Sequence, residues 1–175
     1  SCVLIGEDNE GMQRDYWYTL GRHWHSLEAA AAVGVKAGER TVQRLSPRKA
    51  PTGKYPVVLA PNLAAGLIGH LNGAISGAAQ YRKASFLLDA LDQQVLPNWL
   101  SVKEEPLMLG GLASAYFDGD GVTTKNNCFV ENGRLASYIL STYSARKLGL
   151  ATTGNAGGVH NLHLIGPQIP YDELL

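Results

Sequence analysis

The sequence predicts an α+β fold, mostly antiparallel sheet and hairpins with two or three packed helices. Paired β-rich stretches flank short polar turns, in "CVLIGEDNEGMQRDYWYTLG" and in "GVTTKNNCFVENGRLASYILSTY". Two other stretches, near residues 27–45 and 62–76, carry apolar residues at helical spacing. Hairpins alternate with these helices, which argues for antiparallel pairing.

Taken in order, the first hairpin turns at Asp8–Gly11, and "DYWYT" is aromatic and β-rich. Ser26 is placed to cap a helix reaching about Leu45, through Leu27, Ala30, Val33, Ala37, Val42 and Leu45. Gly34 and Gly38 weaken that helix. "SPRKAPTGKYP", with prolines at 47, 51 and 56, is a linker. "VVLAP" reads as a short buried strand. A second helix follows over 62–76 through Leu63, Leu67, Leu71 and Ile75, with Asn62 as its cap. "FLLDALDQQVLPNWL" is apolar and ends at Pro97. Asn132-Gly133 is a strong hairpin signal. "SARKLG" makes one or two helical turns stopped by Gly149, and "TTGNAGGVHNLHLIG" is a glycine-rich loop leading into a strand. The opening "SCVLIG" reads as mid-strand without an initiator Met, and the closing "PYDELL" as the first turn of a helix. The chain therefore reads as an internal piece: residues 1–50 end a preceding segment of strands plus helix, and residues 51–175 form a second domain, truncated at its C-terminal end.

Composition narrows the function classes. With 175 residues and 45% hydrophobic residues the chain can bury a core. Charged residues are only 17%, against roughly 25% in an average soluble protein. That shortfall suggests a surface largely covered by something else. The net charge is zero, which argues against a nucleic-acid partner. No apolar run reaches the roughly 18 residues of a membrane span, so no membrane partner is expected. Cys2 and Cys128 are too few for a disulfide framework, and a cytoplasmic location is the default.

Candidate chemistry is sparse. His23 and His25 in "HWH" share a face only on a strand and have no third ligand nearby, so they read as surface histidines or as leading into a helix. His160 and His163 in "HNLH" would face opposite sides of a strand. "TGNAGGVHN" lacks both a P-loop lysine and a G-x-G-x-x-G pattern, and reads as a tight loop whose backbone approaches protein or a peptide closely. "YSARK" and "YRKAS" read as solvated or interface charges, and Cys128 as a structural thiol. There is no G-x-S-x-G elbow.

Three separated motifs carry a family likeness. "GLIGHLNGAISGAAQYRKASFLLDAL" resembles the TldD/PmbA family, in its PmbA (TldE) branch, and "GEDNEGMQRDYWYT" and "YSARKLGLATTGNAGGVHNL" extend the likeness in order along nearly the whole chain. The resemblance implies a TldD/PmbA-like fold, matching the central part of a longer subunit. It also implies a heterodimeric zinc metallopeptidase that cleaves unstructured peptides, in peptide-antibiotic precursor maturation and antitoxin degradation. In the TldD branch the corresponding helix carries H-E-x-x-x-H, two zinc ligands with a glutamate as general base. Gly69 stands at the first histidine, His70 at the glutamate and Ala74 at the second histidine. Residues 62–80 hold one histidine and no glutamate, so no shift of register restores the motif. A further cysteine ligand of the active branch lies beyond Leu175.

The resemblance thus implies a non-catalytic subunit that binds no cofactor itself, with zinc in a TldD-type partner, self-association being an alternative. Its expected peptide path or interface comprises His70, Asn72, Gly154, Asn155, Gly157, Gly158 and His160, with substrate added as an extra strand. Two alternatives stand beside it. One is an active peptidase with unusual ligands, such as His70 with His160 or His163. The other is a non-enzymatic peptide-binding or regulatory module linked to DNA gyrase control.

Overall fold

A computed structural model describes residues 1–174 as two compact units, Ser1–Pro56 and Val57 onward. The first unit is a hairpin and a helix. Strands β1 (Cys2–Asp8) and β2 (Gly11–Trp17) pair antiparallel, from Cys2 opposite Trp17 to Asp8 opposite Gly11. Gly11 sits at φ +118°, which a residue with a Cβ rarely adopts. Helix α1 (Ala30–Gln43) buries Val33, Ala37 and Thr41, one stripe at i, i+4 and i+8.

Polar contacts tie the hairpin to α1. Asp8 accepts from the Ser46 backbone N–H at 2.6 Å and from its hydroxyl at 2.9 Å. Asp15, 7% exposed, lies 3.4 Å from Arg40 and 3.6 Å from Arg44. The Lys36 ammonium sits 3.8 Å from the Trp17 ring centroid.

The start of α1 corrects the sequence reading. Ser26 closes a single 3-10 turn (Trp24–Ser26), its hydroxyl spent on the His23 carbonyl, and Ala29 leads the helix without a side-chain cap. His23 and His25 flank or lie in this exposed turn rather than on a strand.

The second unit holds helices α2 (Pro61–Ala74), α3 (Gly77–Tyr81), α4 (Thr142–Leu148) and α5 (Tyr171–Leu174). Its sheet has strands β3 (Ser101–Glu104), β4 (Asn127–Glu131), β5 (Arg134–Leu135) and β6 (Leu162–Ile165), ordered β5-β4-β3-β6 and antiparallel throughout. The expected α+β class holds. Phe129, Ile75, Leu135, Val102 and Val130 are fully buried at its centre, with Leu71, Tyr138 and Ala145 around them.

Local chemistry explains the boundaries. Pro61 begins α2, its fixed φ suited to the first helical turn, so the cap position falls on Ala60 and not on Asn62. "VVLA" is exposed coil rather than a buried strand, with Val57 74% exposed, and none of the strands among the described residues pairs with it. The β4–β5 hairpin turns at Asn132 (φ 48°) and Gly133 (φ 77°), the positive pair that an Asn-Gly loop supplies. β5 ends after two residues, far short of "RLASYILSTY". α4 ends at Gly149 in the left-handed region and begins with a capping box between Ser141 and Ser144. The closing helical turn is present as α5, while Leu175 lies outside the described residues.

Two elements escaped the sequence reading. α3 is a short helix capped by Ser76, whose hydroxyl accepts from the Ala79 N–H at 3.3 Å. β3 is central to its sheet, yet "SVKE" carries two residue types depleted in strands.

Candidate functional site

Helix α2 places Gly69, His70 and Ala74 at the end of an amphipathic turn. Leu71, Ala74 and the following Ile75 are buried, whereas Leu63 and Leu67 are 62% and 58% exposed. His70 is exposed and lines a groove of about 380 Å³ with Gly69, Gly73, Ala84, Ser85 and Phe86. A Cβ built on Gly69 or Gly73 meets nothing within 4 Å, so this helix face is open. The Ala74 carbonyl accepts from Gln80 Nε2 and from the Ser85 hydroxyl, both at 2.7 Å, which fixes the groove floor. Asn72 is half-buried and its Oδ1 has no partner.

These residues do not suit a metal. Glycine offers no side chain and alanine only a methyl group, leaving His70 as a single donor where a catalytic zinc takes three protein ligands. Among the described residues, no three His, Cys, Asp or Glu side chains are grouped to hold an ion. The described residues do not bring His70, His160 and His163 together as one such group.

A second groove, of about 250 Å³, is lined by the start of α3, the start of α4 and the glycine loop. Its walls include Ser76, Tyr81, Ile139 and Tyr143, and its rim is the glycine loop at Asn155, Gly157 and Gly158. α3 and α4 approach closely here: a Cβ on Gly77 would lie 2.3 Å from the Ser144 hydroxyl. The candidate path residues thus divide, His70 in the first groove and Asn155, Gly157 and Gly158 in the second. Gly154 is buried beneath, where a Cβ would sit 3.2 Å from the Thr123 carbonyl.

The loop is held by two carboxylates that sequence reasoning missed. Glu104 on β3 has a fully buried side chain. Its Oε1 accepts from the His160 backbone N–H at 2.6 Å and from Asn155 Nδ2 at 2.8 Å, and lies 2.9 Å from His160 Nδ1. Its Oε2 accepts from Asn127 Nδ2 at 2.7 Å. A register shift between Val102 and Lys103 sets Glu104 opposite Asn127 on β4, which makes that last bond possible. Asn127 also donates to the Thr153 carbonyl at 3.0 Å, and Asn155 to the Gly158 carbonyl at 3.2 Å. The visible signal was the alternation in "SVKE", which puts Glu104 on the same face as core residue Val102.

Asp118 supports the loop from outside. Its carboxylate accepts from the Ala156, Val122 and Asp120 backbone N–H groups, each at 2.9 Å, and the Ala156 carbonyl accepts from Gly119 at 2.8 Å. Burial opposes ionisation of Asp118, but these three donors outweigh it and, with the charge of His160, hold its carboxyl below the usual range. His163 pairs across β3 with Lys103 and stands 3.7 Å from Glu105, away from His160. Burial, with Glu131 nearby, pushes the Cys128 thiol up, as befits a structural thiol.

Comparison with known proteins locates this arrangement. Residues 52–175 match the C-terminal domain of the PmbA/TldA metallopeptidases. The chain is 49% identical over 175 residues to the metalloprotease PmbA of Escherichia coli O157:H7, covering all of this chain and 39% of that protein. It is 45% identical over 169 residues to the metalloprotease PmbA homolog of Haemophilus influenzae, covering 97% of this chain and 37% of that one. A crystal structure from Bacteroides thetaiotaomicron, named as a modulator of DNA gyrase, superposes with TM-score 0.89 at 28% identity, over 98% of this chain and 39% of that one. The chain thus spans about two fifths of the length of these relatives. With that family match and that identity along its whole length, the chain belongs to the PmbA/TldD metallopeptidase family.

Proposed function

We propose that the chain is the central part of a PmbA/TldE-type subunit that carries no catalytic metal and completes a peptidase with a TldD-type partner. The observation that carries this reading is the chemistry of α2, where Gly69 and Ala74, which the family resemblance sets against the active branch's zinc-binding histidines, offer no side chain that can bind a metal. The helix keeps its shape and its buried stripe, while its outer face, with Gly69 and Gly73, is bare. Exposed Leu63 and Leu67 on the same helix support a surface that the assembly covers. The two grooves around the α2–α3 junction form the path for an unstructured peptide cut at the partner's zinc. The 49% identity to a PmbA protein supports the branch. No helix among the described residues is long and apolar enough to cross a membrane.

The test uses the full-length subunit, purified alone and mixed with its TldD-type partner, against an unstructured peptide. Activity is expected only in the mixture, and removed by a chelator. Chelator-sensitive cleavage by the subunit alone overturns the reading in favour of a self-sufficient peptidase. The gyrase-modulator name of the structural neighbour gives a second reading, a regulatory module. Binding of gyrase without any TldD-type chain would favour it.

A further inference from the structure

Glu104 presents a problem the fold alone does not explain. A fully buried carboxylate is costly to desolvate, and an apolar residue beside Val102 would serve the core as well. Its hydrogen bonds converge on one short segment. It grips Asn155 and His160 directly and Thr153 through Asn127, so both ends of loop 153–160 hang on a single side chain. Asp118 fixes Ala156 between them.

The part left free is the tip. Gly157 and Gly158 stand at φ 99° and 122°, with nothing within 4 Å of a built Cβ. The Gly158 N–H and carbonyl are used inside the loop, on Asn155. The Gly157 N–H and carbonyl make no hydrogen bond among the described residues, and Gly157 lines the second groove. One free donor and one free acceptor on an exposed, side-chain-free residue are what an extended peptide main chain pairs with.

We infer that Glu104 is a positioning residue for substrate: it holds loop 153–160 so that the Gly157 main chain faces the groove and binds the backbone of an unstructured peptide. Main-chain pairing reads no side chain, which suits substrates of varied sequence. The inference rests on the groove carrying peptide in the assembled peptidase.

The test uses the full-length subunit in complex with its TldD-type partner, and a fluorogenic unstructured peptide. Glu104→Gln removes the charge and sets its amide against Asn127 Nδ2. KM is expected to rise about tenfold, the effect of losing a charge-assisted hydrogen bond, with kcat within about twofold. Gly157→Ala alters only the tip and is expected to raise KM similarly. If Glu104 acts through the loop, the double variant is no worse than the stronger single one. An unchanged KM in Glu104→Gln with the complex intact, or fully additive effects, overturns the positioning role. If Glu104→Gln fails to assemble, Gly157→Ala decides, and an unchanged KM there overturns the inference. A wild-type chain that forms no active complex overturns the functional reading and this inference with it.

Discussion

Replacing Glu104 by alanine in the full-length chain should be among the most damaging single polar truncations in the second unit. Four N–H groups face its carboxylate: the His160 amide and ring Nδ1, Asn155 Nδ2 and Asn127 Nδ2. They do not suffer equally. Asn127 keeps the Thr153 carbonyl and Asn155 keeps the Gly158 carbonyl, so each loses only one of two acceptors. The His160 amide has no other acceptor and is orphaned, at about 1–3 kcal/mol, and the two weakened asparagine bonds add about 0.5–1.5 kcal/mol each. Relief from burying a charge offsets part of this, leaving a loss of about 2–4 kcal/mol. Glutamine keeps one acceptor oxygen for three donors and makes one donor–donor clash at Asn127, so it should lose about 1–3 kcal/mol. Urea unfolding followed by tryptophan fluorescence measures both. A loss below about 1 kcal/mol for alanine, or glutamine worse than alanine, refutes the reasoning.

Three further outcomes follow from the same geometry. Gly77→Ala puts a Cβ 2.3 Å from the Ser144 hydroxyl and 2.8 Å from Leu140, so urea unfolding should show a loss of about 1–3 kcal/mol; no loss would mean that α3 and α4 separate readily. Gly69→Ala meets open space inside a helix and should stabilise the isolated subunit by about 0.5–1 kcal/mol in the same assay; destabilisation would mean that this face is already packed. Asp118 has a folded-state pKa below its ordinary 3.8, so its contribution is complete above that value and lost as pH falls through the lower folded value. Asp118→Asn should flatten that acid limb of stability, read as unfolding midpoints between roughly pH 2 and 6, and an unchanged limb would show that the carboxylate is not held as described.

Sequence legibility followed the local strength of each signal. Asn132-Gly133 and Gly149 demand positive φ and were readable as a turn and a helix stop. The stripe through Leu71 and Ile75 was readable because both are core residues. The same periodicity placed the helix but overstated its buried stripe, since Leu63 and Leu67 lie in α2 and are exposed. Strand β3 was missed because its Lys103 and Glu104 disguise a central position that only pairing with β4 and β6 reveals. Glu104 and Asp118 were missed as anchors of the glycine loop for a related reason: their partners in that loop, Asn155 and Ala156, lie 51 and 38 residues away in the chain, a distance that no motif spans. The glycine loop was legible as a loop, while its anchoring was not.

The central claim, that this chain contributes walls and not metal, is tested most directly by zinc content per chain. The full-length subunit and its TldD-type partner are purified separately and each is measured by plasma mass spectrometry. The account predicts stoichiometric zinc in the partner and only trace zinc in the subunit that carries Gly69, His70 and Ala74. Stoichiometric zinc in that subunit, lost on His70→Ala, would contradict it.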